Sequence, residues 1–120
     1  MSGYGSRAWQ SGAACVCGCG ERAVQRHHAI YVQELRRVAG PRSVEREMQL
    51  ISDARNLLPI AHRCHERHHT RFGVLPLTVL PDSVFEFAVE VLGAGAAYEY
   101  LRRHYAGDDA RLRALMAEAA

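Results

Sequence analysis

Residues 56–69 read Asn-Leu-Leu-Pro-Ile-Ala-His-Arg-Cys-His-Glu-Arg-His-His, and within them His65 and His69 stand four positions apart. On a helix that spacing stacks both imidazoles on one face, close enough to share one cation. Upstream, His27 and His28 are adjacent in a segment that reads as a strand. Neighbours on a strand point to opposite faces, so one imidazole can hold a metal while the other is left for a different task. These pieces converge on a single metal site.

The cysteines point the same way. Cys15, Cys17 and Cys19 sit on a Cys-Val-Cys-Gly-Cys-Gly turn, and Cys64 lies directly beside His65. A reducing interior disfavours disulfides, and glycines let a backbone fold tightly around a small ion. The expectation is a structural zinc clip tying the N-terminal turn to the helix start, held by Cys17, Cys19 and Cys64 with Cys15 or His62 as the fourth ligand. No Cys-x-x-Cys pair is present.

At 120 residues the chain is expected to form one domain with a modest core. No apolar run approaches a membrane span, and the start lacks a signal-peptide pattern, which points to a cytoplasmic protein with no membrane partner. The charge is unevenly placed. Residues 21–71 carry ten Arg against six acids, net +4, and residues 72–120 carry four Arg against seven acids, net −3. The basic half is also the histidine-rich half, as expected where a polyanion docks, although charge scatter explains the asymmetry equally well.

Along the chain, residues 1–14 are expected to be flexible. Ala23–Tyr31 reads as a short strand around the histidine pair, and Val32–Val38 as a helix stopped by Gly40-Pro41. Ser43 is placed to cap a second helix reaching Ile51, and Asp53–Leu58 turns into a brief second strand. A helix over Ile60–Thr70 then carries the paired histidines, with His62 and His68 exposed or behind the ligands. Leu75–Leu80 is expected to be extended. Asp82-Ser83 caps a helix with Val84, Phe85, Ala88, Val91 and Leu92 on one face, ending at Gly93. Ala96–Tyr105 and a last helix after Asp108-Asp109, carrying Leu112, Leu115 and Met116, complete a tail read as packing without chemistry.

Taken together, Gly20 through His69 resembles the HNH endonucleases, being similar to the small bacteriophage versions and, in histidine spacing, to the colicin-type DNases. The residues that carry the resemblance are His27-His28, Asn56, Cys64-His65 and His69, with Asn56 nine positions before His65. The fold it implies is α+β, a mainly helical small domain built around a ββα-metal (His-Me finger) core with C-terminal helices. It divides the chain into a flexible N-terminus (1–14), a nuclease core (15–73) and a helical extension packed on or extending that core (74–120). The implied roles follow position by position. His28 is the general base toward water, while His27, His65 and His69 hold one catalytic divalent ion (Mn, Ni, Co, Zn or Mg). Asn56 orients the loop and the base or, as in some relatives, ligates the metal itself, and Arg26, Arg36, Arg37, Arg63 and Arg67 are candidate phosphate contacts. The implied partners are DNA and phage DNA-packaging (terminase) proteins, in the host cytoplasm. Two departures stand out. Zinc-bearing relatives place a Cys three residues before Cys64, where this chain has Ala61. The segment between His28 and Asn56 is also long for the family, its Arg-rich helices being either an added DNA-binding element or plain packing.

Two rivals use the same residues. His65-Glu66-Arg67-His68-His69 also fits the His-Glu-x-x-His pattern of zinc metallopeptidases, with Glu66 as base. That reading leaves His27-His28 and Asn56 without a task and lacks a clear downstream third ligand. A non-catalytic zinc-stabilised nucleic-acid-binding module needs the cysteines but not His28.

Overall fold

A computed structural model describes residues 13–70 and 73–119. Its only sheet among those residues is a pair of antiparallel strands, β1 (Gln25–His28) and β2 (Leu57–Ile60), with His27 opposite Leu58 and His28 opposite Leu57. Alternation along β2 buries Leu58 and Ile60 and leaves Leu57 and Pro59 half-buried. Pro59 is tolerated because a two-stranded sheet has only edges. Its carbonyl accepts from Val16 at 2.7 Å, which straps the cysteine turn against the sheet.

Between the strands lie helices α1 (Val32–Ala39) and α2 (Val44–Ile51) and a single 3₁₀ turn, Ala54–Asn56. The second strand therefore starts later than expected, at Leu57, because Asp53 accepts from the Arg55 amide and winds the approach into that turn. Ser43 precedes α2 as anticipated, yet its side chain makes no cap hydrogen bond. The Arg-rich surface of α1 covers a buried Leu35, and α2 buries Leu50 and Ile51, so both helices pack on the core.

Helix α3 (His62–Thr70) follows β2 almost directly. Leu75–Leu80 is not extended throughout, since Leu77–Val79 forms a 3₁₀ turn with Leu77 fully buried. The tail is helical as expected: α4 (Asp82–Leu92), α5 (Ala94–His104) and α6 (Ala110–Ala119). Gly93, at φ 87°, is the positive-φ residue that separates α4 from α5. Pro81, not Asp82, occupies the N-cap of α4. Leu112 and Leu115 are buried, whereas Met116 turns out to be exposed.

One apolar cluster runs through all of these elements. Ile30 after β1, Leu35 of α1, Ile60 of β2, Phe87 of α4 and Leu101 of α5 are each fully buried within it. The tail thus shares the core of the strand pair. Two arginines pin it. Arg55 bonds Asp53 and Glu90 and lies 5.3 Å over the Phe87 ring, and Arg111 joins Asp109 and Asp82 above the Phe85 ring. The expected flexible segment 1–14 falls outside the described residues except for Ala13 and Ala14, which pair with Ala23 and Arg22. No helix among the described residues is long and apolar enough to cross a membrane.

Candidate metal centre

Strand β1 turns His27 into the interior, where 1% of the residue is exposed, and the i,i+4 spacing on α3 stacks His65 and His69 toward it. Ligand nitrogens of the three imidazoles lie within 4.8 Å of one another. The Nε2 atoms of His65 and His69 are 3.0 Å apart. Imidazole nitrogens at ~2.1 Å from a tetrahedral ion sit roughly 3.4 Å from each other, so a small outward shift would make this separation that of a shared cation.

The hydrogen bonds behind the rings set their tautomers. The Tyr105 hydroxyl lies 2.5 Å from the carbonyl of Ala29, which can only accept, so its one proton goes there. Its oxygen then accepts from His27 Nε2 at 2.8 Å. That leaves the lone pair of His27 on Nδ1, a buried atom without a hydrogen-bond partner. His65 donates through Nδ1 to Gln25 Oε1 at 2.9 Å, which puts its lone pair on Nε2. An orphaned buried nitrogen is costly unless something fills its lone pair, and a cation does so. Burial, reinforced by the neighbouring imidazoles His68, His65 and His69, pulls the His27 pKa down to about 2. Desolvation also lowers those of His65 and His69. All three rings are therefore held neutral, the form in which imidazole ligates metal.

His28 points its Nε2–H at the Ile51 carbonyl, 3.1 Å away, which places its lone pair on Nδ1. Desolvation lowers its pKa, partly opposed by that hydrogen bond. Strand alternation separates the two neighbouring rings, yet both border one cleft of about 210 Å³ with His65, His69 and Arg26. Asn56 is fully buried. It accepts from the Ile30 amide and donates to the Ile30 carbonyl, clamping the chain just after β1. It holds the backbone that follows the histidine pair.

The other expected contacts separate. Arg26 lines the cleft, with its guanidinium partly desolvated. Arg36, Arg37 and Arg63 each pair with an acid, Glu47, Glu34 and Glu21 respectively, and Arg67 is exposed. His68 is not exposed: it is buried between Tyr31, at 2.6 Å from Nε2, and the Leu75 amide, at 3.0 Å from Nδ1. His62 is exposed, accepting from Gln25 and facing Glu66 at 3.4 Å.

A second cluster forms as the cysteine turn closes on α3. Gly18 and Gly20, at φ 79° and 89°, make the bends that a side chain would strain. All four cysteines are free thiols, and their sulfurs gather within 4.8 Å. Sγ separations are 3.4 Å for Cys15–Cys17, 3.3 Å for Cys17–Cys64 and 3.6 Å for Cys64–Cys19. These are too long for disulfides and near the ~3.8 Å edge of a zinc tetrathiolate. Amides of Ala61 and Glu21 donate to Cys15 and Cys19. The fourth sulfur is thus Cys15, and His62 is not part of the set. Three thiols from the turn make a Cys at position 61 unnecessary. The cluster could hold a metal such as zinc.

Sequence reasoning missed Tyr105 and Gln25, which orient His27 and His65. Gln25 was within reach of the β1 pattern, two positions before His27 on the same side. Tyr105 carried no signal beyond helical register. Comparison with protein-family models, with curated proteins and with solved structures finds no match for this chain.

Proposed function

We propose that this protein is a metal-dependent endonuclease of the HNH type that hydrolyses DNA phosphodiester bonds. The observation that carries the reading is the pairing of an orphaned, buried His27 Nδ1 with the His65 and His69 nitrogens, while His28 borders the same cleft. His27, His65 and His69 hold the ion, and a divalent ion there supplies Lewis-acid stabilisation of the phosphate and of the departing 3′ oxygen. His28 takes a proton from water at Nδ1 while the water oxygen forms its bond to phosphorus. The bond from phosphorus to the 3′ oxygen then breaks, and that oxygen is protonated by solvent. Hydrogen bonding to Ile51 fixes the His28 ring for this task and stabilises its imidazolium. Arg26 is placed to meet a phosphate at the cleft edge. Asn56 keeps the turn after β1 rigid.

The four thiols serve stability in this reading, joining the N-terminal turn to α3 through a structural zinc. The peptidase alternative is disfavoured by Glu66, whose side chain is 66% exposed and faces His62. The deciding assay is nicking of supercoiled plasmid across Mn²⁺, Ni²⁺, Co²⁺, Zn²⁺ and Mg²⁺, with wild type and His28→Ala. Nicking that depends on the ion and falls at least ~100-fold in His28→Ala is expected. Undiminished nicking in the variant would remove His28 from the mechanism, and none in wild type would remove the nuclease.

A further inference from the structure

We infer that Tyr105, from the C-terminal tail, is a positioning residue for the metal centre. Its hydroxyl fixes the tautomer of His27 and so aims the Nδ1 lone pair at His65 and His69. The inference rests on the metal-centre reading above.

A neutral imidazole carries its proton on one of two nitrogens, and the partner of one decides the state of the other. For His27 that partner is the Tyr105 oxygen, whose own proton is committed to Ala29. The opposite tautomer would set the Nε2 lone pair against that oxygen with no proton between them. It would also point an N–H from Nδ1 into the space where the three ligand nitrogens gather.

The hydroxyl is held firmly in place. Tyr105 is 3% exposed, and its ring stacks on His68 at 5.0 Å and 26°. Its backbone closes α5 on Leu101, and the next residue is clasped from both sides. Ala106 donates to the Leu75 carbonyl at 2.9 Å and accepts from the Leu77 amide at 2.8 Å. The segment that follows α3 therefore locks the end of α5 against β1. A tail that looks like packing supplies the proton acceptor that readies one ligand.

Phenylalanine keeps the ring and removes only the oxygen. Without it the His27 Nε2–H loses its acceptor, and nothing then favours the tautomer that leaves the lone pair on Nδ1. The test compares wild type, Tyr105→Phe and Leu112→Ala, the last of which loosens the tail without touching the relay. Long-range ¹H–¹⁵N NMR reads the His27 tautomer in metal-free protein. Titration with Co²⁺, followed on the ring signals of His65 and His69, reads affinity at this site apart from the thiols.

Expected are an Nε2–H tautomer in wild type, its loss in Tyr105→Phe, and a cobalt Kd raised about 10- to 100-fold in that variant alone. A proton on Nδ1 in wild type overturns the proposal. So does unchanged affinity in Tyr105→Phe, or an equal weakening in Leu112→Ala. If Tyr105→Phe does not fold, the wild-type tautomer decides. Wild type that binds no cobalt sinks the metal-centre reading instead, and the tautomer comparison then judges Tyr105 by itself.

Discussion

Asn56 and Ile30 grip each other through both of their polar edges. The Ile30 amide donates to Asn56 Oδ1 at 2.7 Å, and Asn56 Nδ2 donates to the Ile30 carbonyl at 2.9 Å. The Asn56 carbonyl also receives the Ala29 amide at 2.9 Å. A single side chain thus satisfies a turn of buried backbone that has no other secondary structure, and that turn connects His27-His28 to Tyr31.

Removing the amide leaves an unsatisfied donor and acceptor in the interior. Each costs about 1–3 kcal/mol. Asn56→Ala is therefore expected to destabilise the fold by about 3 kcal/mol, read as a lower urea midpoint at unchanged slope. Asn56→Asp keeps the acceptor for Ile30 but sets a second carboxylate oxygen against the carbonyl. Burial raises that acid's folded pKa above its unfolded value, so the penalty is small in acid and grows as pH rises through the titration. A variant more stable at pH 8 than at pH 4, relative to wild type, would contradict the buried clamp.

The thiol cluster predicts one tightly held zinc per chain. Native protein should show few reactive thiols, and denaturation should release zinc together with four of them. Cys17→Ser breaks the sulfur that touches both Cys15 and Cys64. It is expected to lose the zinc and to lower Tm by more than about 10 °C, since stability linked to a bound structural metal disappears with the ligand set. Equal zinc content in the variant would place the ion elsewhere.

Much of the site was legible because its signals are local. The spacing of His65 and His69 needs only helical geometry, and the turn that holds three cysteines is written in its alternating glycines. The fourth thiol was ambiguous from sequence, since His62 and Cys15 both lay within plausible reach. Only the strap from Val16 to Pro59 brings Cys15 to Ala61. Tyr105 was not legible. It meets His27 across 78 positions, and a tyrosine in the apolar register of a helix looks like packing until the fold places its hydroxyl. Whether His68 is exposed or behind the ligands was undecided for the same reason, because the chain after α3 folds back over it through Leu75 and buries it. Long-range closure decides such residues, and periodicity carries no trace of it.

Glu66 separates the nuclease from the peptidase reading. Its side chain is solvated and interacts with the exposed His62. Glu66→Gln should leave plasmid nicking within about twofold of wild type and stability within about 0.5 kcal/mol, the usual range for a surface change. A large loss of nicking would make Glu66 part of the chemistry. Hydrolysis of a protein substrate by wild type, abolished in Glu66→Gln, would favour the peptidase.

Acid sensitivity is expected to pass through Asp53. Hydrogen bonds from Arg55 hold its carboxyl below the usual range, and Arg55 does the same for Glu90, joining the turn before β2 to α4. A depressed folded-state pKa means stability that is fully present above the unfolded value of ~3.9 and is lost as pH falls through the folded value. Asp109 beside Arg111 is shifted in the same direction, so Asp53 accounts for part of the loss. Asp53→Asn keeps a side-chain acceptor for the Arg55 amide and removes the charge. The variant should be about 0.5–1 kcal/mol less stable than wild type at pH 7, a modest figure because the pair is only partly buried and solvent still screens it. The gap should narrow as pH falls through the folded value, where wild type loses the same charge. Urea titrations of both proteins between pH 2 and 7 measure this convergence, and curves that stay parallel would show that the Arg55 junction contributes nothing to acid stability.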